Sequence, residues 1–147
     1  MLPDRPGTYV LILELNRPAK IGIGKLGTFA FAPGFYAYVG SALGPGGLRA
    51  RVRRHLRSDK DIHWHVDALR AQAQPLEVWY AVGTERRECA WADALADLPR
   101  AEIPAPGFGA SDCQCTSHLI HIDQPDKVLF AQSVQHEIFR ERTNGQE

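Results

Sequence analysis

The stretch PGTYVLILEL, residues 6–15, is apolar at nearly every position and rich in Leu, Ile and Val. A run of that composition reads as a buried β-strand. It opens with a tyrosine held behind a glycine, where Val, Ile or Leu would pack as well. A similar pattern returns in GFYAYVGSALGPGGLRARVRRHLR, residues 34–57, where Tyr36 and Tyr38 lead into a glycine-rich turn and then a run of arginines. Two tyrosine-bearing strands and one basic helix are the features that any fold of this chain must accommodate.

Between them, KIGIGKLGTFAFAPGFYAYVG predicts short strands separated by Gly24, Gly27 and Pro33-Gly34, hairpin-like excursions before a strand over residues 35–39. Helical periodicity begins at Gly47 or Leu48 and runs to about Arg57. A second helix is expected over residues 62–72, stopped ahead of Pro75, with a strand, LEVWYAV, after it. Residues 84–98 open like a capped helix, with Thr84 as the cap, Glu85 and Glu88 in or near the first turn, and Pro99 at the end. A Pro- and Gly-rich loop leads to a short strand, SHLIHI. In residues 127–142, the spacing of Phe130, Val134 and Ile138 favours helix. This order implies an α+β fold, a small mixed or antiparallel sheet flanked by helices. The chain of 147 residues is 44% apolar, sized for one core, since domains commonly run to about 100–150 residues. Residues 1–125 are expected to form the body, and 126–147 a partly helical C-terminal extension.

The formal net charge is zero, which excludes a uniformly basic nucleic-acid coat; a polyanion site must come from local asymmetry. Arg49, Arg51, Arg53, Arg54 and Arg57 supply it, in a segment without a carboxylate. No apolar run is long enough to cross a bilayer and no charged-then-apolar leader opens the chain, so a cytoplasmic protein is expected, without a membrane partner. Three cysteines, an odd number without an export signal, predict reduced thiols rather than a disulfide.

On a helical wheel Leu48, Val52 and Leu56 form an apolar stripe with Arg51 and His55 together on one flank. Arg49, Arg53 and Arg57 repeat at four-residue spacing on the other flank, where an external polyanion would relieve their mutual repulsion. Tyr36 and Tyr38 share one side of their strand, and Tyr9 can face them if the strands pair. Any single tyrosine is most simply a core residue with a wet tip. Phenols, a guanidinium and a helical carboxylate together form a workable set for phosphodiester hydrolysis. A phenol orients or deprotonates water, a guanidinium stabilises the charged phosphorane, and a carboxylate holds a divalent metal.

GTY at residues 7–9, YVG at 38–40 and LRARVRRH at 48–55 resemble the GIY-YIG nuclease family, with Thr8 and Val39 as conservative departures. YVGSALGPGGLRARVRRHLR, HWHVD and GFGASDCQC are similar to its Uri-type endonuclease subfamily, some of whose members are fused to a base-excision glycosylase. The resemblance covers roughly residues 5–122. It implies Tyr9 and Tyr38 on neighbouring strands, Arg51 and His55 on the first helix, and Glu88 on a later helix binding one Mg²⁺ or Mn²⁺, with Glu85 as the alternative ligand. The implied partner is DNA, single-stranded or structured, in repair or processing, with a functional link to a glycosylase. Arg49, Arg53 and Arg57 would then track the flanking backbone. A non-catalytic nucleic-acid-binding or partner-docking module of the same fold is the alternative. The tyrosine motifs stand farther apart than is usual in the family, and no asparagine follows Glu88 where some family nucleases use one.

Three further signals are weighed against simpler explanations. Cys113, Cys115 and His118 in CQCTSH are zinc ligands in principle, but the C-x-C spacing is tighter than a finger pattern, and a structural turn and strand near the active cleft, with buried reduced thiols, is expected instead. Cys89 shows nothing beyond burial. His63 and Asp67 in HWHVD have the spacing of a hydrogen-bonded pair, and His65 is structural or else contacts a phosphate. GSALGPGG lacks the lysine and Ser/Thr of a P-loop, leaving close approach to a nucleic-acid phosphate as the expected use of its glycines.

Overall fold

The computed structural model describes residues 2–57, 64–110 and 115–143. Gly7–Leu15 forms β1, the middle strand of a five-stranded sheet. On one side it pairs with β4 (Gly34–Ala42), which pairs in turn with β6 (Leu119–Ile122); on the other it pairs with β5 (Gln74–Val82), then β7 (Phe139–Arg142). Every pairing is antiparallel. Between β1 and β4 the expected hairpin forms from β2 (Ala19–Ile23) and β3 (Gly27–Phe31), joined by a single 3-10 turn.

Layers cover both faces of the sheet, which is why β1 is apolar at successive positions. Tyr9, Leu11, Leu13 and Leu15 enter one core with Leu48 and Val52 of α1 (Gly47–Leu56) and Val66 and Leu69 of α2 (His65–Arg70). Val10 and Ile12 enter the other with Trp91 and Leu95 of α3 (Glu88–Ala96) and Phe130 of α4 (Lys127–Val134). The α+β architecture and antiparallel sheet agree with the sequence reading. Among the described residues no helix is long and apolar enough to cross a membrane.

Three expectations are corrected. α3 starts at Glu88, not after a Thr84 cap: Gly83 takes φ +147°, its N–H donates to the Pro6 carbonyl at 2.8 Å, and the turn it makes carries Thr84 and Glu85 outside the helix. The helical spacing of Phe130, Val134 and Ile138 is broken. α4 stops at Val134 with Gln135 in the left-handed region at φ +54°, and residues 139–142 become β7 along the edge of β5. Phe130 and Ile138 still reach the same core, one from a helix and one just ahead of a strand. The extension after residue 125 thus adds both a helix and a sheet strand. Finally, Cys89 and Cys115 are joined in a disulfide rather than left as thiols. Packing of α3 against β4 and β6 brings its first turn to the segment that enters β6, with the two Cα atoms 5.6 Å apart, within bridging range.

Thr8 sits in the middle of this frame, fully buried, and its hydroxyl has no hydrogen-bond partner among the described residues. A buried polar atom left unsatisfied costs about 1–3 kcal/mol. Thr8→Val is therefore expected to raise stability by about 1 kcal/mol, seen as a higher urea midpoint at unchanged m-value. An unchanged or lower midpoint would mean that the hydroxyl finds a partner.

Candidate functional site

β6 pairs with β4 only over Phe35 to Tyr38, extended by one bond from the Val39 N–H to the His118 carbonyl at 2.8 Å. Beyond that point β4 has a ladder partner on the β1 side alone, and the start of α3 approaches from the far face. A cavity of about 640 Å³ opens there, lined among others by Tyr9, Tyr38, Ser41, Arg51 and Glu88. Residues from β1, β4, α1 and α3 therefore meet at one sheet end.

The motif glycines make the approach possible. Tyr9 lies directly across from Gly40 in the ladder, and a Cβ at Gly40 would run into the Tyr9 hydroxyl. A Cβ at Gly7 would strike the Ala81 carbonyl and the Leu48 side chain. Tyr38 sits diagonally from Tyr9, opposite Leu11, with ring centroids 6.5 Å apart. The Tyr9 hydroxyl is 2.6 Å from Nε2 of the buried His55. Tyr36 goes elsewhere: its hydroxyl donates to the Ala32 carbonyl at 2.6 Å and its ring stacks on His121.

Burial pushes the Tyr9 phenol well above its ordinary value, with Tyr38 adding to the shift and Arg51 opposing it. Burial likewise pushes Tyr38 up to about 12, again against Arg51. Both phenols keep their protons at neutral pH, so neither serves as a standing phenolate. With His55 in the tautomer that accepts at Nε2, Tyr9 donates to it and still offers its oxygen as an acceptor.

Arg51 Nη1 donates to the Ser41 carbonyl at 2.9 Å, and Ser41 Oγ donates to Glu88 Oε2 at 2.8 Å. Ser41 thus ties the guanidinium of one face to the carboxylate of the other. Arg51 also lies over the Trp64 ring, 4.7 Å from its centroid. Glu88 Oε2 is 3.9 Å from the largely exposed Arg86, a pair that solvent weakens. Its Oε1 makes no hydrogen bond or ion pair among the described residues, and a hard carboxylate oxygen beside a water-accessible cavity suits Mg²⁺ or Mn²⁺. Glu85, the alternative ligand, is exposed and pairs with Arg87 outside the cavity.

Other predicted residues are placed differently. Arg49, Arg53 and Arg57 line a second hollow of about 480 Å³ with Val52, Leu56 and Arg142, on another side of α1, and Arg49 Nε donates to the Leu2 carbonyl. His65 does not line the first cavity. Its Nδ1 accepts the Gly109 N–H at 2.7 Å and its ring meets Phe108 edge-on, so it positions the loop that does. Burial lowers its pKa, in keeping with that acceptor role. Asp67 receives Arg54 at 3.1 Å and the Trp64 N–H at 2.8 Å, while His63, its expected partner, lies outside the described residues, as does Cys113. The glycines before α1 lead straight into its first turn, with Gly46 as the N-cap. The Leu48 and Arg49 N–H groups at the start of that helix donate to the Arg5 and Pro3 carbonyls at 2.9 and 3.0 Å, so these helix-end donors are already used.

Sequence reasoning missed Ser41, Trp64 and Cys89 as parts of the cavity wall, while the turn and strand that carry Cys115 and His118 lie near the cleft as expected. Cys89 and His118 form part of its wall, and His118 Nε2 lies 3.3 Å from Cys115 Sγ. Burial lowers the His118 pKa, with Glu88 opposing. Ser41 directly follows the motif glycine and Cys89 directly follows Glu88, the only local signals either residue offered.

The family described as "Domain of unknown function DUF123" matches residues 8–140 of the chain. No curated protein and no solved structure matches it.

Proposed function

We propose that this chain, which belongs to the DUF123 family, is a metal-dependent DNA endonuclease of the GIY-YIG type. The observation that supports this reading best is the convergence of Tyr9, Tyr38, Arg51 and Glu88 on one cavity from four separate elements. Such a set has a phosphodiester as its natural substrate. A water held by the Tyr9 oxygen attacks phosphorus in line with the departing oxygen. Its proton passes to Tyr9 as the Tyr9 proton passes to His55 Nε2 across the 2.6 Å contact, so the buried phenol never has to exist as a free anion. Tyr38 packs beside Tyr9 and limits where that water can sit. Arg51, braced by Ser41 and Trp64, meets the non-bridging oxygens as their charge grows. Glu88 would hold one Mg²⁺ or Mn²⁺, which supplies further neutralisation of phosphate charge. A role in DNA repair or processing follows from the same resemblance.

The deciding experiment is cleavage of a panel of single-stranded, duplex, flap and abasic DNAs by the purified chain with Mg²⁺ or Mn²⁺. Nicking of at least one substrate supports the reading. DNA binding without any nicking would leave the non-catalytic module instead.

The second hollow gives a separate test. It lies away from the cavity, so Arg49, Arg53 and Arg57 together should act on binding rather than on chemistry. Changing all three to Gln is expected to weaken DNA binding and to reduce the log–log salt slope by about 0.7–0.9 per lost phosphate contact. Cleavage at saturating DNA should change less. An unchanged slope would show that this side of α1 does not follow the backbone.

A further inference from the structure

The sulfur side of the cavity carries an inference that does not depend on nuclease activity. Cys89 Sγ, Cys115 Sγ and a ring nitrogen of His118 all lie within 4.8 Å of one another. In the C-x-C reading of the sequence, zinc had only closely spaced local ligands. The fold adds a sulfur from 26 residues away, and that long-range donor is what a zinc site needs and a local motif cannot supply. We propose that, when the disulfide is reduced, Cys89, Cys115 and His118 bind one Zn²⁺.

The geometry suits the ion. A tetrahedral centre with Zn–S of about 2.3 Å and Zn–N of about 2.0–2.1 Å sets its donor atoms roughly 3.5–3.8 Å apart. His118 Nε2 is already 3.3 Å from Cys115 Sγ, and the 5.6 Å between the cysteine Cα atoms leaves the sulfurs free to separate by side-chain rotation. The main chain that carries the imidazole is fixed on both sides: the His118 N–H donates to the Phe108 carbonyl and its carbonyl accepts from the Val39 N–H, both at 2.8 Å. Two thiolates and an imidazole select zinc over the hard ions that suit the Glu88 carboxylate.

The same pair of residues ties the first turn of α3 to the segment entering β6 in either form. In a reducing compartment a disulfide is not kept, and zinc replaces the S–S bond with an S–Zn–S link. The balance is simple. A trialkylphosphine and one water convert the disulfide to two thiols and a phosphine oxide, and Zn²⁺ then displaces both thiol protons.

The test uses the full chain, stripped of metal, reduced with a water-soluble phosphine and titrated anaerobically with Co²⁺, then Zn²⁺. The expected result is one Co²⁺ per chain with a thiolate-to-cobalt charge-transfer band, which one equivalent of Zn²⁺ removes. Cys89→Ser and Cys115→Ser should each abolish that band, and His118→Ala should weaken binding. Glu88→Gln should leave it intact, which separates this site from the one for Mg²⁺ or Mn²⁺. The unreduced wild-type chain should show no thiolate-to-cobalt band, a control that needs no substitution and so cannot fail by misfolding. Absence of Co²⁺ and Zn²⁺ binding by the reduced wild type would overturn the proposal, as would undiminished binding by Cys89→Ser.

Discussion

Arg51→Ala is expected to lower the rate of DNA cleavage by about a hundredfold or more, with the protein still folded. The size follows from what the guanidinium does. It lines the cavity with Tyr9 and Glu88, and on the proposed mechanism its Nη1 contact to the Ser41 carbonyl would hold it where charge on the non-bridging oxygens develops. A positive group placed in advance acts in the transition state and does little for the resting protein. The fold should survive because Arg51 is only partly buried, while Leu48 and Val52, which anchor α1, are untouched. Arg51→Lys keeps the charge but loses the planar fork and much of the stacking on Trp64, so it should restore only part of the rate. The measurement is single-turnover cleavage with saturating DNA, beside a thermal melt. A well-folded Arg51→Ala chain that cleaves like the wild type would remove Arg51 from the chemistry.

How much of this could be read without coordinates differs from element to element for physical reasons. β1 and β4 were legible because a strand covered on both faces must be apolar throughout, and α1 because its stripe of Leu48 and Val52 has the helical period. Once β1 and β4 pair, Tyr9 and Tyr38 are neighbours, and Arg51 and His55 follow from the wheel. The start of α3 was not legible, because Thr84 is a good cap in isolation and the bond from Gly83 to Pro6 that overrides it is non-local. β7 was hidden for the same reason: Ile138 keeps helical spacing with Phe130, and only the open edge of β5 makes a strand there preferable. The arginine row was correctly seen as a separate flank of α1. That this flank opens on a different hollow from Arg51 depends on where Leu2 and Arg142 fall. The Cys89–Cys115 link and the Ser41–Glu88 bond join residues 26 and 47 positions apart, beyond any local pattern.

Glu88→Gln should abolish metal-dependent cleavage while leaving DNA binding unchanged or tighter. Glutamine keeps the shape and still offers an oxygen to Ser41 Oγ, so the tie across the sheet end at 2.8 Å is retained and only the charge is lost. A neutral amide is a poor ligand for an ion that binds weakly and keeps several waters. Removing a negative group that would face phosphate in the proposed complex should favour, or at least not harm, association with DNA. Cleavage by the wild type should correspondingly stop in EDTA and return with either Mg²⁺ or Mn²⁺. Glu85→Gln is the matched control: it removes the same charge from an exposed side chain in the turn before α3, and activity should be close to normal. A dead Glu85→Gln beside an active Glu88→Gln would mean that the ion is bound in the turn rather than at the cavity. If both variants cut normally, the carboxylate that serves the metal is neither, and Asp112, outside the described residues, becomes the next to change.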